Sequence, residues 1–251
     1  TTVGIGRDPL GLARIARATG LNIVMGAGYS VAQSHPPDMD RRSEEDLARE
    51  MIRDLTLGVG DTGIKAGILG ELGCSWPLHP NERKVLRAAA RAQRETGAPI
   101  SIHPGRHQSA PLEILEVLAE AGADLHHTVM GHVERTLLQQ STLKKVAESG
   151  CFLEYDLFGR EVSYYAIAPH IDMPSDAQRL EQLAWLVAQG HLSQILLAQD
   201  VCQKVHLVRY GGSGYAHILE VILPWMRHKG FKEEHIHAML VENPRRALAF
   251  R

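Results

Sequence analysis

The sequence predicts an α/β protein of the (β/α)8 barrel type, entered after its beginning, with the first strand and most of the second missing. Three observations predict it. Short apolar runs alternate with amphipathic helices that stop at a glycine. Four runs carry one strong metal-ligand side chain each at their C-terminal end: Glu71 in GILGELG, His103 in PISIHPG, His132 in HTVMGHV and Asp200 in QILLAQD. These four residues come from the ends of four different strands, in order around the sheet. An open doubly wound sheet would gather its site at a single switch point, whereas a barrel lines its rim from many strands.

The elements follow in order. TTVGI is read as the tail of the second barrel strand. Asp8-Pro9 has the form of a helix N-cap and first residue, and that helix stops at Gly20 before LNIVMGAG. Ser43 caps a helix with Leu47, Met51 and Leu55 on one face, ending at Gly58 before the strand that holds Glu71. Pro80 opens a helix ending at Gly97, and Ser109 opens the next, ending at Gly122. A helix ending at Gly150 precedes CFLEYDL. Ser175 and Gln178 make a capping box, with Leu180, Leu183, Ala184 and Val187 as the apolar stripe and Gly190 as the stop. Glycine recurs at these ends because the left-handed conformation that closes a helix costs it least. Six strands separated by helices require a parallel sheet with right-handed crossovers. A glycine-rich loop, YGGSGYAHI, then leads to a helix as far as Gly230 and a terminal helical stretch. No linker interrupts the chain, so residues 1–251 are expected to form one domain.

Composition narrows the function. With 251 residues, 44% hydrophobic and 22% charged, the chain is long enough for one large α/β domain. A net charge of −2 without a basic block argues against nucleic acid and anionic membrane as partners, leaving a small-molecule substrate. Cys74, Cys151 and Cys202 form no CxxC and leave one odd, which suits a reduced, cytoplasmic protein. No apolar run approaches the length of a membrane span. The chain opens on Thr1 without signal-peptide character, so its N-terminus is read as cut.

Period-two alternation puts Leu69, Gly67 and Lys65 on the same face of their strand as Glu71, with Lys65 about 20 Å lower and unable to share its site. His103, His132 and Asp200 are expected to face inward, and Ile102, Val129 and Leu197 outward under the helices. Two imidazoles and two carboxylates at one rim suit a divalent first-row ion such as zinc. A water held by such an ion loses its proton near neutral pH and becomes a nucleophile. Asp200 is placed to accept a proton and pass it to a leaving group.

The segments GILGELGCSW, ISIHPGR, VMGHVERT, LEYDLFG, LLAQD, YGGSGYAHIL and ENPRR together resemble the phosphotriesterase family of the amidohydrolase superfamily, along the whole chain. The resemblance implies a (β/α)8 barrel with a two-metal, usually zinc, centre. Its bridging ligand, a carboxylated lysine or a glutamate, matches Glu71. The two imidazoles of the second metal match His103 and His132, and the aspartate ending the last strand matches Asp200. The family's His-x-His pair from strand one has no counterpart here, since His235-Ile236-His237 falls in a helical stretch at the other end. The resemblance implies hydrolysis of an amide, an N-acyl amino acid or N-acetyltaurine. Esters, lactones and phosphotriesters are the alternatives within the family, and a non-catalytic binding product is the alternative outside it.

Other residues are weaker candidates. Arg106 and Arg209-Tyr210 follow the strands of His103 and Asp200, and an arginine fork suits a carboxylate, sulfonate or phosphate. Tyr155 and Asp156 end one strand, and parity leaves open which faces the site. His217 follows the glycine loop. Cys74 and Cys202 flank ligand positions with no base beside either and are expected to be buried spectators.

Overall fold

The computed structural model describes residues 2–250. Six strands lie in one sheet in sequence order, β1 to β6. They are β1 (Gly26–Ala27), β2 (Ile68–Gly73), β3 (Ile100–His103), β4 (Thr128–Met130), β5 (Phe152–Tyr155) and β6 (Ile195–Leu197). The pairings β1–β2, β2–β3, β3–β4 and β5–β6 are parallel. Every strand neighbours the one before it in sequence, so no order reversal creates a switch point.

The chain divides into two compact units, Thr1–Met130 with Ala247–Arg251, and Gly131–Arg246. The first contains helices α1 (Pro9–Thr19), α2 (Glu44–Thr56), α3 (Pro80–Thr96) and α4 (Ala110–Glu120). Two of its N-caps are those the sequence specifies, whereas Ser109 makes no capping hydrogen bond at α4 and His79 caps α3. Asp8 accepts from the Gly11 amide, and Ser43 with Asp46 forms a reciprocal capping box. Gly20 and Gly97 close α1 and α3 in the left-handed conformation. Leu47, Met51 and Leu55 on α2 are buried, as are Val85, Leu86 and the alanines 88, 89, 90 and 92 on α3. Small side chains on α3 let helices approach closely, while each buried leucine contributes about 1.5–3 kcal/mol of transfer free energy. Val3 makes a single parallel bridge to Tyr29.

The second unit contains α5 (Val133–Thr136), α6 (Gln140–Glu148), α7 (Asp176–Ala188), α8 (Leu223–His228), α9 (Glu233–His237) and most of α10 (Asn243–Leu248). Ser175 and Gln178 form the expected capping box on α7. The buried face of that helix is Asp176, Arg179, Leu180, Leu183 and Leu186, whereas Ala184 is exposed. The predicted stripe was therefore rotated, because it omitted two charged residues that pair with each other inside. The stretch predicted as a helix to Gly230 starts with a π turn, Ile218–Ile222, before α8, and a second π turn spans Ala238–Glu242. Asn243 ties the C-terminal helix to β6, its amide donating to the carbonyls of Leu192 and Ile195 at 2.8 Å each. Among the described residues, no helix is long and apolar enough to cross a membrane.

Candidate metal centre

Three of the predicted ligands come together. Glu71 lies in β2, His103 ends β3, and His132 follows β4 by two residues. Their ligand atoms all lie within 4.8 Å of one another, with Glu71 Oε2 3.4 Å from His103 Nδ1. Two donors held about 2.1 Å from a common ion stand no more than about 4.2 Å apart. The trio is therefore within a small side-chain adjustment of closing on one ion, and a carboxylate with two imidazoles fits a first-row divalent metal.

The local route to this arrangement differs from simple alternation. Leu69 pairs with Ile100 and Leu72 with Ile102, so β2 spends three steps where β3 spends two. That extra residue is a bulge, and it lets Leu69 and Leu72 both be fully buried at odd spacing. Gly70 supplies the space: a Cβ there would lie 2.3 Å from the Ser101 carbonyl oxygen, and its φ of 137° disfavours any other residue. The expectation that Glu71 shares a face with Leu69, Gly67 and Lys65 thus fails, because the bulge resets parity and residues 65 and 67 precede the strand.

His132 and Asp200 also depart from expectation. Neither is a strand residue. β4 ends at Met130 and β6 at Leu197, and both ligand candidates take left-handed backbone conformations, with φ of 53° and 42°. Of the three residues expected to pack outward, Ile102 and Val129 are buried and Leu197 is only half-buried.

His132 is held by Asp156. One carboxylate oxygen accepts from the His132 backbone amide at 2.9 Å and the other faces Nδ1 at 2.8 Å, with both side chains buried. A carboxylate opposite Nδ1 fixes the proton there and leaves the lone pair on Nε2, the arrangement that orients metal-binding imidazoles. Of the pair at the end of β5, Asp156 is therefore the residue that reaches a candidate ligand, His132. Tyr155 is fully buried; its hydroxyl has no hydrogen-bond partner among the described residues, and burial pushes its pKa well up.

Behind Asp156 lies a buried charge network. Glu134 accepts from the Leu157 amide at 2.8 Å and the Asp156 amide at 3.4 Å. Burial and then the Asp156 charge raise Glu134 to about 7, with Arg179 opposing them. Arg179, itself fully buried, stands 3.5 Å from Glu134 and 2.5 Å from Asp176. Asp176 also receives the Gly159 amide and His217 Nε2, at 3.1 and 2.8 Å. His217 is thus bound into this network. Sequence reasoning missed Glu134, Asp176 and Arg179. One signal was present: Arg179 precedes Leu183 by four positions and so shares the apolar face of α7.

Asp200 lies in the second unit, where Arg160 Nη2 reaches its Oδ2 at 2.6 Å and also its backbone carbonyl. Arg106 is half-buried, and Arg209 and Tyr210 are exposed on a turn at Val208–Tyr210. Cys74 is buried, as expected, but Cys202 is exposed and has His206 Nδ1 4.0 Å from its sulfur, so the expectation of a buried thiol without a neighbouring base is corrected.

Comparison with known proteins decides the family. The model of the phosphotriesterase family matches residues 1–248. The chain belongs to the phosphotriesterase family. It is accordingly an enzyme, a hydrolase of the amidohydrolase superfamily with the α/β-barrel fold of its relatives. It is 45% identical over 251 residues to the N-acetyltaurine hydrolases of Bos taurus and Homo sapiens, covering all of this chain and 72% of theirs. The same figures hold for a phosphotriesterase-related protein of Nematostella vectensis. Among solved structures, a resiniferatoxin-binding protein from Rhodobacter sphaeroides superposes with a TM-score of 0.94 at 38% identity, over 99% of this chain and 69% of that one. The phosphotriesterase homology protein of Escherichia coli gives 0.88 at 31%, over 99% and 82%.

Proposed function

We propose that this protein hydrolyses the amide bond of a small N-acylated amine bearing an anionic group, N-acetyltaurine or an N-acyl amino acid, at a zinc-type centre. Glu71, His103 and His132 hold metal, and Asp200 serves as ligand and proton carrier. The observation that carries this reading is the convergence of the Glu71, His103 and His132 ligand atoms, with a buried carboxylate fixing the His132 ring. The 45% identity to N-acetyltaurine hydrolases supports the choice of an amide over an ester.

Bound at this trio, a divalent ion supplies Lewis acidity and makes water acidic enough to attack near neutral pH. The chain's own residues do the rest. Glu71 offers two carboxylate oxygens. Asp156 keeps His132 in one tautomer and one orientation. Arg160, beside the Asp200 carboxylate, holds it in place; Asp200 takes the proton from the attacking water and hands it to the departing amine nitrogen. The acyl carbon gains an oxygen, the C–N bond breaks, and an acid and an amine leave. Arg106, Arg209 and Tyr210 are assigned to the substrate side; Tyr155, predicted beside them, is fully buried and leaves that group, and His217 is engaged by Asp176.

The test is turnover of N-acetyltaurine, N-acetyl amino acids, a lactone and an aryl phosphotriester, before and after chelation and with zinc restored. Amide cleavage that vanishes on chelation, returns with zinc and is abolished in His132→Ala is the expected result. Turnover indifferent to chelation, or lactone or phosphotriester hydrolysis exceeding amide hydrolysis, overturns the proposal.

A further inference from the structure

We infer that Trp76 and His107 form a built recognition pair for the anionic end of the substrate, with His107 Nε2–H as the donor. The inference rests on the amide-hydrolase reading for the substrate's identity, and on geometry for the pair itself.

The first observation is position. Gly73 of β2 stands opposite His103 of β3, and the Cys74 amide donates to the His103 carbonyl at 2.8 Å. The two chains therefore leave the sheet side by side, at the C-terminal ends where α/β barrels build their sites. Trp76 comes three residues after Gly73 and His107 four after His103, so about 3.3 Å per residue keeps both within roughly 13 Å of those strand ends. Arg106 shares the same loop.

The second is rigidity. The indole and imidazole stack face to face, 4.4 Å between centroids and 2° between planes. Buried Glu82 fixes the Trp76 loop, accepting from the Ser75 amide and hydroxyl at 2.8 Å and from the His79 amide at 3.1 Å. The same carboxylate takes the Ala32 amide at 2.8 Å. The two loops touch at Gly105, where a Cβ would lie 2.5 Å from the Ser75 carbonyl oxygen and 2.8 Å from Trp76 Cβ. Only glycine permits that approach.

The third is the tautomer. The Ser109 amide donates to His107 Nδ1 at 3.1 Å. Nδ1 is therefore an acceptor, and the neutral ring carries its proton on Nε2. His107 is exposed, and among the described residues nothing accepts from Nε2. Trp76 is 38% exposed. A stack that served only to bury its rings would not be held out towards water by a buried carboxylate. A clamped ring with a defined N–H aimed away from its own backbone suits a sulfonate or carboxylate oxygen, and the indole face suits the short methylene chain joining that anion to the amide.

The test compares N-acetyltaurine with N-ethylacetamide, which has the same acyl group and chain length but no sulfonate. His107→Phe keeps the stack and removes the donor. It is expected to raise KM for N-acetyltaurine about ten- to a hundred-fold, the worth of one charge-assisted hydrogen bond, with kcat and the N-ethylacetamide KM nearly unchanged. Gly105→Ala, which drives Trp76 aside, is expected to do the same. Independently of turnover, ethanesulfonate is titrated against the wild-type protein while the His107 Nε2 resonance is followed by 1H–15N NMR. A saturable shift, lost in Trp76→Ala, supports the pair even if no amide is hydrolysed, in which case only the reaction assignment fails. An unmoved Nε2 resonance, or equal KM changes for the charged and neutral amides, overturns it.

Discussion

Replacing Arg179 with methionine tests the buried network behind the candidate metal centre. The guanidinium is wholly inside, 3.5 Å from Glu134 and 2.5 Å from Asp176, and it also donates to the Arg160 carbonyl at 3.3 Å. At an effective dielectric near 20, a charge pair at 3.5 Å is worth about 5 kcal/mol, and breaking a buried pair by removing one partner costs about 3–5 kcal/mol. Asp176 retains His217 and the Gly159 amide, so Glu134 bears most of the loss. Glu134 can escape by taking up a proton. Its folded pKa is raised from 4.5 to about 7, so between those values the folded state binds more protons than the unfolded one. Stability from this group is thus complete below about pH 4.5 and falls as pH rises through about 7. Removing the arginine that opposes the shift moves the upper limit higher still. The variant should therefore lose about 3–5 kcal/mol at pH 8.5 and clearly less at pH 5.5. Urea denaturation followed by circular dichroism at both pH values measures this. A loss independent of pH, or one below about 1 kcal/mol, the value of a surface pair, would refute the reasoning.

Asp156→Asn keeps the shape but puts an amide donor against one of the two His132 donors; zinc affinity should fall about 10- to 100-fold by calorimetry, with little change in secondary structure. Asp200→Asn should retain metal but lose most of the amidase rate, since an amide accepts no proton, and a near-normal kcat would remove Asp200 from the mechanism. Asn243→Ala removes the donor to two carbonyls at 2.8 Å, that of Ile195 buried, and should cost about 1–3 kcal/mol in chemical denaturation. Ser175→Ala removes the α7 capping box and should cost about 1 kcal/mol, while Ser193→Ala, whose side chain caps no helix, should cost almost nothing.

Helix limits were legible because their signals are local. Asp8, Ser43 and Ser175 act on amides three residues away, and Gly20 and Gly97 act on their own backbone. The ligand types at strand ends were legible for a related reason, since each sits beside its own apolar run. What the sequence hid is set by distant partners. Asp156 reaches His132 across 24 positions, and Glu134 reaches Leu157 across 23. The bulge between Leu69 and Leu72 exists only relative to β3, so no reading of β2 alone reveals it. Likewise, Ala184 looked apolar enough for the stripe, and only the mutual burial of Arg179 and Asp176 turns α7 away from it.

The left-handed backbone at His132 and Asp200 limits which side chains those positions can exchange during mutational drift. Histidine, aspartate, asparagine and glycine tolerate that conformation, whereas β-branched residues scarcely do. A library that randomises either position is therefore filtered by the main chain before chemistry is asked of it. Aspartate for His132 is accessible to the backbone; valine, isoleucine and threonine are not, whatever their volume. Side-chain identity at these two points can change only within a small alphabet, and wider chemical variation has to enter through the loops that follow.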